Sequence, residues 1–270
     1  MGSFFKAKSP TPPSPKTGRE KSHQALGIAD SSPVMTGGGS ASSEVGPATA
    51  ETAGHVFACA ERDQALAPFN VSRETSDRLT RFVALLCERQ QRMNLVATST
   101  IPQVWTRHVA DSLQLLALAP AGRRWADLGS GAGFPGLVIA CALADVPGAH
   151  VDLVESIGKK AAFLREAVAA TGAPATVHHA RIEAVTPKLA GHVDIVTARA
   201  LAPLSTLLTM INPFMEKGAK ALLHKGQDVD AELTEAAKYW TIDYDAVPSQ
   251  TDPRGRILLV RRLKRRGGKR

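Results

Sequence analysis

The stretch that decides the fold is Asp127-Leu128-Gly129-Ser130-Gly131-Ala132-Gly133-Phe134-Pro135-Gly136. It overlaps the end of a short apolar run over residues 124–128 and leads into a second apolar run over residues 134–144. Its glycines let a ligand approach the backbone closely, because no Cβ atoms stand in the way. A strand, a glycine-rich loop and a helix in this order are typical of α/β domains that bind a nucleotide at the carboxyl edge of the sheet.

Downstream of this glycine loop, short apolar runs alternate with segments of helical periodicity. Strands are predicted over residues 124–128, 151–155, 175–178, 193–198, 220–224 and 257–261, and helices over residues 134–144, 158–171, 202–210 and 228–240. Such alternation predicts βαβ units, because parallel strands need a crossover that packs on the sheet. The fold class is therefore α/β, with a doubly wound, mostly parallel sheet in a domain over residues 121–262.

Upstream of the loop, the apolar residues recur with the period of a helix. Ser72 is a predicted N-cap, because its hydroxyl can accept a hydrogen bond from the first helical turn. Leu79, Phe82 and Leu86 then fall on one face of the helix that follows. A second helical stripe begins at Val104. We expect these segments to form a small helical cap over residues 66–120.

The two ends of the chain differ in composition from its middle. Residues 1–50 contain 26 Ser, Thr, Gly or Pro and show no apolar periodicity, so residues 1–65 are predicted to form a disordered extension. The net charge is +8, and residues 261–270 alone hold seven Lys or Arg and no acid. A basic C-terminal tail over residues 263–270 is therefore expected to bind a polyanion such as RNA.

Composition also excludes several classes of protein. No apolar run approaches 18 residues, so no membrane span is predicted. Cys59, Cys87 and Cys141 lie far apart, which gives neither a disulfide framework nor a metal site. A reduced, cytoplasmic compartment is the expectation.

Two cofactors compete for the glycine loop. Residues 131–136 match G-x-G-x-x-G, the fingerprint of dinucleotide-binding enzymes. An S-adenosylmethionine loop instead has an acid followed by alternating glycines, which Asp127, Gly129, Gly131 and Gly133 provide. An acid at this strand end suits the methionine ammonium and would repel a pyrophosphate, so the loop favours S-adenosylmethionine. Glu155, at the end of the next strand, can accept both ribose hydroxyls of either cofactor.

Further motifs recur in order along residues 66–262. They are Asn94-Leu95, His108-Val109-Ala110-Asp111-Ser112-Leu113, the glycine loop, Glu155-Ser156, Lys159-Lys160, Phe163-Leu164, Arg181-Ile182-Glu183, Ala198-Arg199-Ala200 and Lys225-Gly226. In this set the chain resembles the bacterial 16S rRNA (guanine-N7) methyltransferase family, RsmG or GidB.

The resemblance implies a fold, a cofactor and a reaction. The fold is a seven-stranded class I methyltransferase sheet whose last strand is antiparallel. The cofactor is S-adenosylmethionine: Gly129 and Phe134 line its pocket, Ile182 and Glu183 frame the adenine, and Arg199 also contacts it. The product is 7-methylguanine at a single guanine of 16S rRNA, in the small ribosomal subunit or its precursor. The protein is expected to act as a monomer.

The chemistry of guanine N7 limits what the enzyme must supply. N7 carries an exposed lone pair, so no general base is needed and we assign no catalytic residue. Catalysis is expected to consist mostly of aligning N7 with the methyl carbon and the sulfur of the cofactor. N7 is hidden in A-form RNA, so the target must be unpaired or flipped out. The candidates for RNA contact are Asn94, Arg107, His108, Lys159 and Lys225.

Two alternative functions remain open from the sequence. One is an NAD-dependent oxidoreductase that uses residues 131–136 as its fingerprint. The other is a non-catalytic, RNA-binding ribosome-assembly factor that keeps the glycine loop only as structure.

Overall fold

The computed structural model describes residues 61–267, which form a seven-stranded sheet flanked by helices. The strands are β1 Arg124–Leu128, β2 His150–Glu155, β3 Ala175–His179, β4 Ile195–Arg199, β5 Lys220–Lys225, β6 Trp240–Pro248 and β7 Arg256–Arg265. Their order is β3-β2-β1-β4-β5-β7-β6; β1 to β5 pair in parallel, and β7 is antiparallel to both β5 and β6. The predicted doubly wound, mostly parallel α/β sheet is confirmed.

Helices cover both faces of this sheet. They are α1 Arg73–Gln90, α2 Asp111–Leu118, α3 Gly136–Ala142, α4 Gly158–Thr171, α5 Ile182–Leu189, α6 Leu204–Met215 and α7 Val229–Ala236. A π-helical turn, Trp105–Ala110, leads into α2. One apolar core lies between the sheet and α1 to α4, and a second lies between the sheet and α5 to α7.

The helical cap belongs to the first of these layers. Ser72 caps α1 as predicted, since its hydroxyl accepts a hydrogen bond from the Thr75 N–H at 3.1 Å. Leu79, Phe82 and Leu86 of α1 are fully buried, and α1 packs against α3 and α4. The cap thus shares its core with the α/β domain.

The cap begins earlier than the sequence suggested. Residues 61–66 are helical, and Ala65 and Leu66 are buried in the first core. The Glu61 carboxylate accepts hydrogen bonds from the N–H groups of Trp105 and Thr106 at 3.2 and 2.7 Å. Residues 61–65, expected in the disordered extension, are therefore part of the folded chain; the rest of that extension lies outside the described residues.

The C-terminal half departs from prediction at three places. The helix predicted to reach Trp240 ends at Ala236, because Trp240 begins the edge strand β6. Helix α5 was not predicted, since Pro187 interrupts its helical pattern. Strand β7 continues to Arg265, so residues 263–265, predicted to belong to the basic tail, pair with β6 instead. None of the helices in residues 61–267 is long and apolar enough to cross a membrane.

Candidate functional site

The glycine loop turns sharply at the carboxyl end of β1. The N–H groups of Gly129 and Ser130 both donate to the carbonyl of Val154 in β2, at 2.9 and 3.0 Å. Gly129 has φ +71°, and a Cβ atom there would lie 2.5 Å from Cδ1 of Leu201. The backbone conformation therefore favours glycine at this position, and any side chain would also have to displace Leu201.

Asp127 supports this loop from below. Its buried carboxylate accepts hydrogen bonds from the Gly136 N–H at 3.1 Å and from the Thr197 hydroxyl at 2.9 Å. Burial raises the pKa of Asp127 to about 6. Both oxygens thus accept hydrogen bonds, one from the loop and one from β4, and Asp127 lines none of the cavities described below, in contrast to its expected place beside the cofactor.

We expect Asp127→Asn to preserve cofactor affinity within roughly fivefold, since an amide retains an acceptor for Gly136. The pKa of Asp127 is about 6 in the folded chain against 3.8 ordinarily, so the folded state holds the proton more tightly. The unfolding free energy of the wild type relative to the variant should then fall by about 2 kcal/mol as pH rises from 4 to 6. Denaturant unfolding at both pH values tests the change in stability, and equilibrium dialysis tests the cofactor affinity. A hundredfold loss of affinity would show that Asp127 contacts the cofactor.

The first cavity opens between the loop and the end of β2, with a volume of about 270 Å³. We call it the Glu155 cavity. The Glu155 carboxylate is held by the N–H groups of Gly131 and Ile157, at 2.9 and 2.7 Å. A Cβ atom on Gly131 would meet only the carbonyl oxygen of Gly129, at 3.7 Å, and the cavity is the space beside it. Ile182 and Glu183, at the start of α5, form the opposite wall.

The second cavity lies on the cap side of the loop, and we call it the His108 cavity. The His108 ring stacks on Phe134 with centroids 4.9 Å apart and an interplanar angle of 25°. Its Nδ1 accepts a hydrogen bond from Arg199 Nη2 at 2.9 Å, and its Nε2 lies 2.8 Å from the Thr100 hydroxyl. Burial and the Arg199 charge lower the pKa of His108 to about 4, so the ring is neutral at pH 7.

Arg199 ends β4 and connects the sheet to the cap. Its Nη2 also donates to the carbonyl of Arg107 at 2.9 Å, and its Nη1 lies 3.4 Å from Oδ2 of Asp111. Burial lowers the pKa of Arg199, and the Asp111 charge partly opposes this. The next residue, Ala200, has φ +50° and lines all three cavities.

The third cavity, the His224 cavity, has a volume of about 240 Å³ and lies beyond the ends of β4 and β5. Asp111 forms part of its wall. Its Oδ1 accepts hydrogen bonds from the Thr251 hydroxyl at 2.7 Å and from the Ser249 hydroxyl at 3.2 Å, and both of these residues line the cavity as well. The loop between β6 and β7 is thereby tied to α2. Arg199 and Ala200 line this cavity as well as the His108 cavity, so the two spaces adjoin.

A family model described as "rRNA small subunit methyltransferase G" matches residues 75–254, two thirds of the sequence. The chain belongs to this family. A relative from Nitrobacter hamburgensis, named ribosomal RNA small subunit methyltransferase G, is 57% identical over 210 residues, which are 78% of this chain and 81% of the relative. A relative of the same name from Bradyrhizobium sp. is 57% identical over 206 residues, 76% of this chain and 93% of the relative.

A solved structure shows the same fold in a methyltransferase. It is that of a Podospora anserina methyltransferase with S-adenosylhomocysteine (SAH) bound; it aligns with a TM-score of 0.53 and 14% identity, covering 82% of this chain and 99% of that one. The chain therefore belongs to the methyltransferase G family and shares its fold with this methyltransferase. The family does not favour the dinucleotide interpretation of residues 131–136.

Most of the predicted cofactor residues come together at the loop. Gly129 lines both the Glu155 and the His108 cavity, and Gly131 does the same. Gly133 does not reach either one: it has φ +95°, and a Cβ atom there would lie 3.0 Å from Cζ of Phe82 in the core. Its role is close packing of the loop on α1.

The predicted RNA-contact residues separate into three groups. Arg107 and Lys225 line the His224 cavity, but each is paired, Arg107 with Asp252 at 3.2 Å and Lys225 with Glu232. His108 is buried against Phe134, as described above. Asn94 and Lys159 are exposed and line none of the three cavities.

Two residues of the site are absent from the candidates for RNA contact given above. Lys160, and not Lys159, lines both the Glu155 and the His108 cavity, because the start of α4 turns the second lysine toward the loop. His224 precedes the predicted Lys225 and was not singled out. Its position at the carboxyl end of β5, where ligands of α/β sheets bind, was the available signal.

Proposed function

We propose that this chain transfers a methyl group from S-adenosylmethionine to N7 of a guanine in 16S rRNA. Membership of the methyltransferase G family supports rRNA as the substrate class. The observation that carries the proposal is the junction at Arg199 and Ala200. There, the two cavities of the glycine loop adjoin a third that is open to a substrate.

The residues of the first two cavities fit the cofactor. The Glu155 carboxylate, buried at the end of β2, suits the two ribose hydroxyls, and the open space beside Gly131 accepts a ligand where any side chain would intrude. Ile157 is 51% exposed and offers an apolar surface for the adenine. The methionine end would then lie in the His108 cavity. When bound, S-adenosylmethionine supplies an electrophilic methyl group on a sulfonium.

This chain need not remove a proton from the base. The lone pair of guanine N7 is free at neutral pH, so His108 is not required as a general base. Its ring is neutral, and both of its nitrogens are engaged by Arg199 and Thr100. The residues act by binding, by orienting the base and by excluding water, and alignment of this kind supplies much of the rate enhancement in such reactions.

Methyl transfer to ribosomal subunits tests the proposal. Small subunits from a strain that lacks this gene are incubated with the protein and labelled S-adenosylmethionine, and the labelled nucleoside is identified by mass spectrometry. We expect 7-methylguanosine in 16S rRNA. In the living cell, we propose that the reaction takes place in the cytoplasm, where subunits are assembled. Subunit binding without transfer would instead support the assembly factor, and label in another nucleoside would exclude N7 as the acceptor.

The exposed end of β7 supports a contact with RNA phosphates. Arg262 and Lys264 are exposed, whereas Arg261 pairs with Asp245 on β6. Contacts of this kind neutralise phosphate charge without reading sequence.

We expect the variant Arg262→Gln with Lys264→Gln to bind rRNA with a weaker salt dependence. The slope of log K against log salt should fall in magnitude by about 1.5, because each phosphate contact contributes about 0.7 to 0.9. Lys188→Gln with Lys217→Gln removes the same charge from exposed positions around α5 and α6 and should leave the slope near that of the wild type. Equal slopes for the two variants would show that only net charge matters.

A further inference from the structure

His224 presents a hydrogen-bond acceptor that no described residue uses. Its side chain is 9% exposed, and its Nε2 lies 2.9 Å from the carbonyl oxygen of Asp111. A ring nitrogen that faces a carbonyl must carry the hydrogen, and burial lowers the pKa of His224, so the ring is neutral. Nδ1 is then a lone-pair acceptor, and it has no partner among residues 61–267.

Arg199, which lines the same cavity, also has an unused donor. Its buried Nη1 makes no hydrogen bond with any described residue, and the nearest carboxylate oxygen, Oδ2 of Asp111, is 3.4 Å away. A guanidinium can only donate. Leaving buried polar groups unsatisfied is costly, so a donor and an acceptor without partners at one cavity indicate a ligand with the complementary pair.

The order of the two groups distinguishes between purines. Arg199 lines both the His108 and the His224 cavity, whereas His224 lines only the latter, so Arg199 is the nearer of the two to the methyl donor's site. Moving from N7 along a guanine, one meets O6, an acceptor, and then N1–H, a donor. Adenine presents the opposite order, an N6 amine and then an N1 lone pair, which would set its amine against the guanidinium.

We propose that Arg199 Nη1 and His224 Nδ1 select guanine in the His224 cavity, the first by donating to O6 and the second by accepting from N1–H. This inference rests on the proposed function, and it adds to it the residues that recognise the base. The arrangement leaves N7 free, which a bidentate arginine contact to O6 and N7 would not do.

Two substitutions of His224 separate the acceptor from the structural contact. His224→Gln places an amide donor near the position of Nε2, which keeps the contact with Asp111 and removes the acceptor. His224→Asn places an amide oxygen near the position of Nδ1, which keeps the acceptor and loses that contact. For methylation of small subunits, we expect kcat/KM of the Gln variant to fall roughly 10- to 100-fold and that of the Asn variant to fall less. The affinity of both for S-adenosylmethionine should equal that of the wild type.

A binding measurement that does not depend on turnover completes the test. With the cofactor site filled by S-adenosylhomocysteine, we expect the ¹⁵N resonance of His224 Nδ1 to shift when guanosine monophosphate is added and to stay in place with adenosine monophosphate. An equal response to both nucleotides, or an Asn variant that loses more activity than the Gln variant, would overturn the assignment. If the wild type forms no 7-methylguanosine, the proposed function fails; if it does and His224→Gln matches it, only this inference fails.

Discussion

Replacing Gly131 with valine should raise the dissociation constant for S-adenosylmethionine by roughly 10- to 100-fold. Gly131 has φ +55°, and its Cβ position adjoins the Glu155 cavity with no side chain in the way. A valine side chain would fill the space that the ligand needs, and overpacking of this kind typically costs about 1 to 3 kcal/mol. Its N–H also donates to Glu155, so a shift of the backbone would release that carboxylate.

Gly172→Val is the matched control for Gly131→Val. Gly172 ends α4 with φ +64°, and a Cβ atom there would meet nothing within 4 Å. Both variants carry the strain of a side chain in the left-handed region, which costs about 1 to 2 kcal/mol of unfolding free energy. Isothermal titration should show normal affinity for the control alone. An equal loss in the two variants would trace the effect to backbone strain and not to the cavity.

Replacing Arg199 with leucine should lower the unfolding free energy by about 3 to 5 kcal/mol, because it leaves the buried Asp111 carboxylate without its cation. It also removes the donors to His108 Nδ1 and to the carbonyl of Arg107. The cap would lose its connection to β4, and the His108 cavity would lose one wall. We therefore expect cofactor affinity to fall together with stability, measured by denaturant unfolding and by calorimetry.

Two comparisons isolate the buried charge. Arg107→Leu removes an arginine of the same cavity whose side chain is 36% exposed, and it should cost less than about 1 kcal/mol. Asp111→Asn combined with Arg199→Leu removes both charges and should recover part of the stability lost in the single variant. If the double variant is less stable than the sum of the two single changes predicts, unpaired charge is not the cause.

Much of the fold could be predicted from hydrophobic periodicity. Strand β1 and helix α4 have the predicted bounds, since each has an apolar pattern and a glycine at one end. Strand β6 was missed although its apolar and polar residues alternate over residues 240–246, because its first residue was assigned to the helix predicted over residues 228–240. Helix α5 was missed because its eight residues include a proline.

The parts of the site that depend on glycines and on residues at strand ends could be predicted from the sequence. The parts that depend on contacts between distant residues could not. Glycines and a strand-end acid identified the Glu155 cavity. The direction of the Asp127 carboxylate depends on Thr197, 70 residues away, and the role of Asp111 depends on Ser249 and Thr251. Nothing local in the sequence reports such partners. The choice between two adjacent lysines at the start of α4 likewise depends on how the helix sits on the loop.

The antiparallel direction of β7 has a consequence for the size of the substrate. Arg256 lies at the mouth of the His224 cavity, and Arg265 lies nine residues further, about 30 Å away, at the opposite edge of the sheet. With a guanine in the cavity, one or two nucleotides cannot touch both points, whereas a longer RNA can. We therefore expect contact at both points to favour large, structured RNA over isolated fragments.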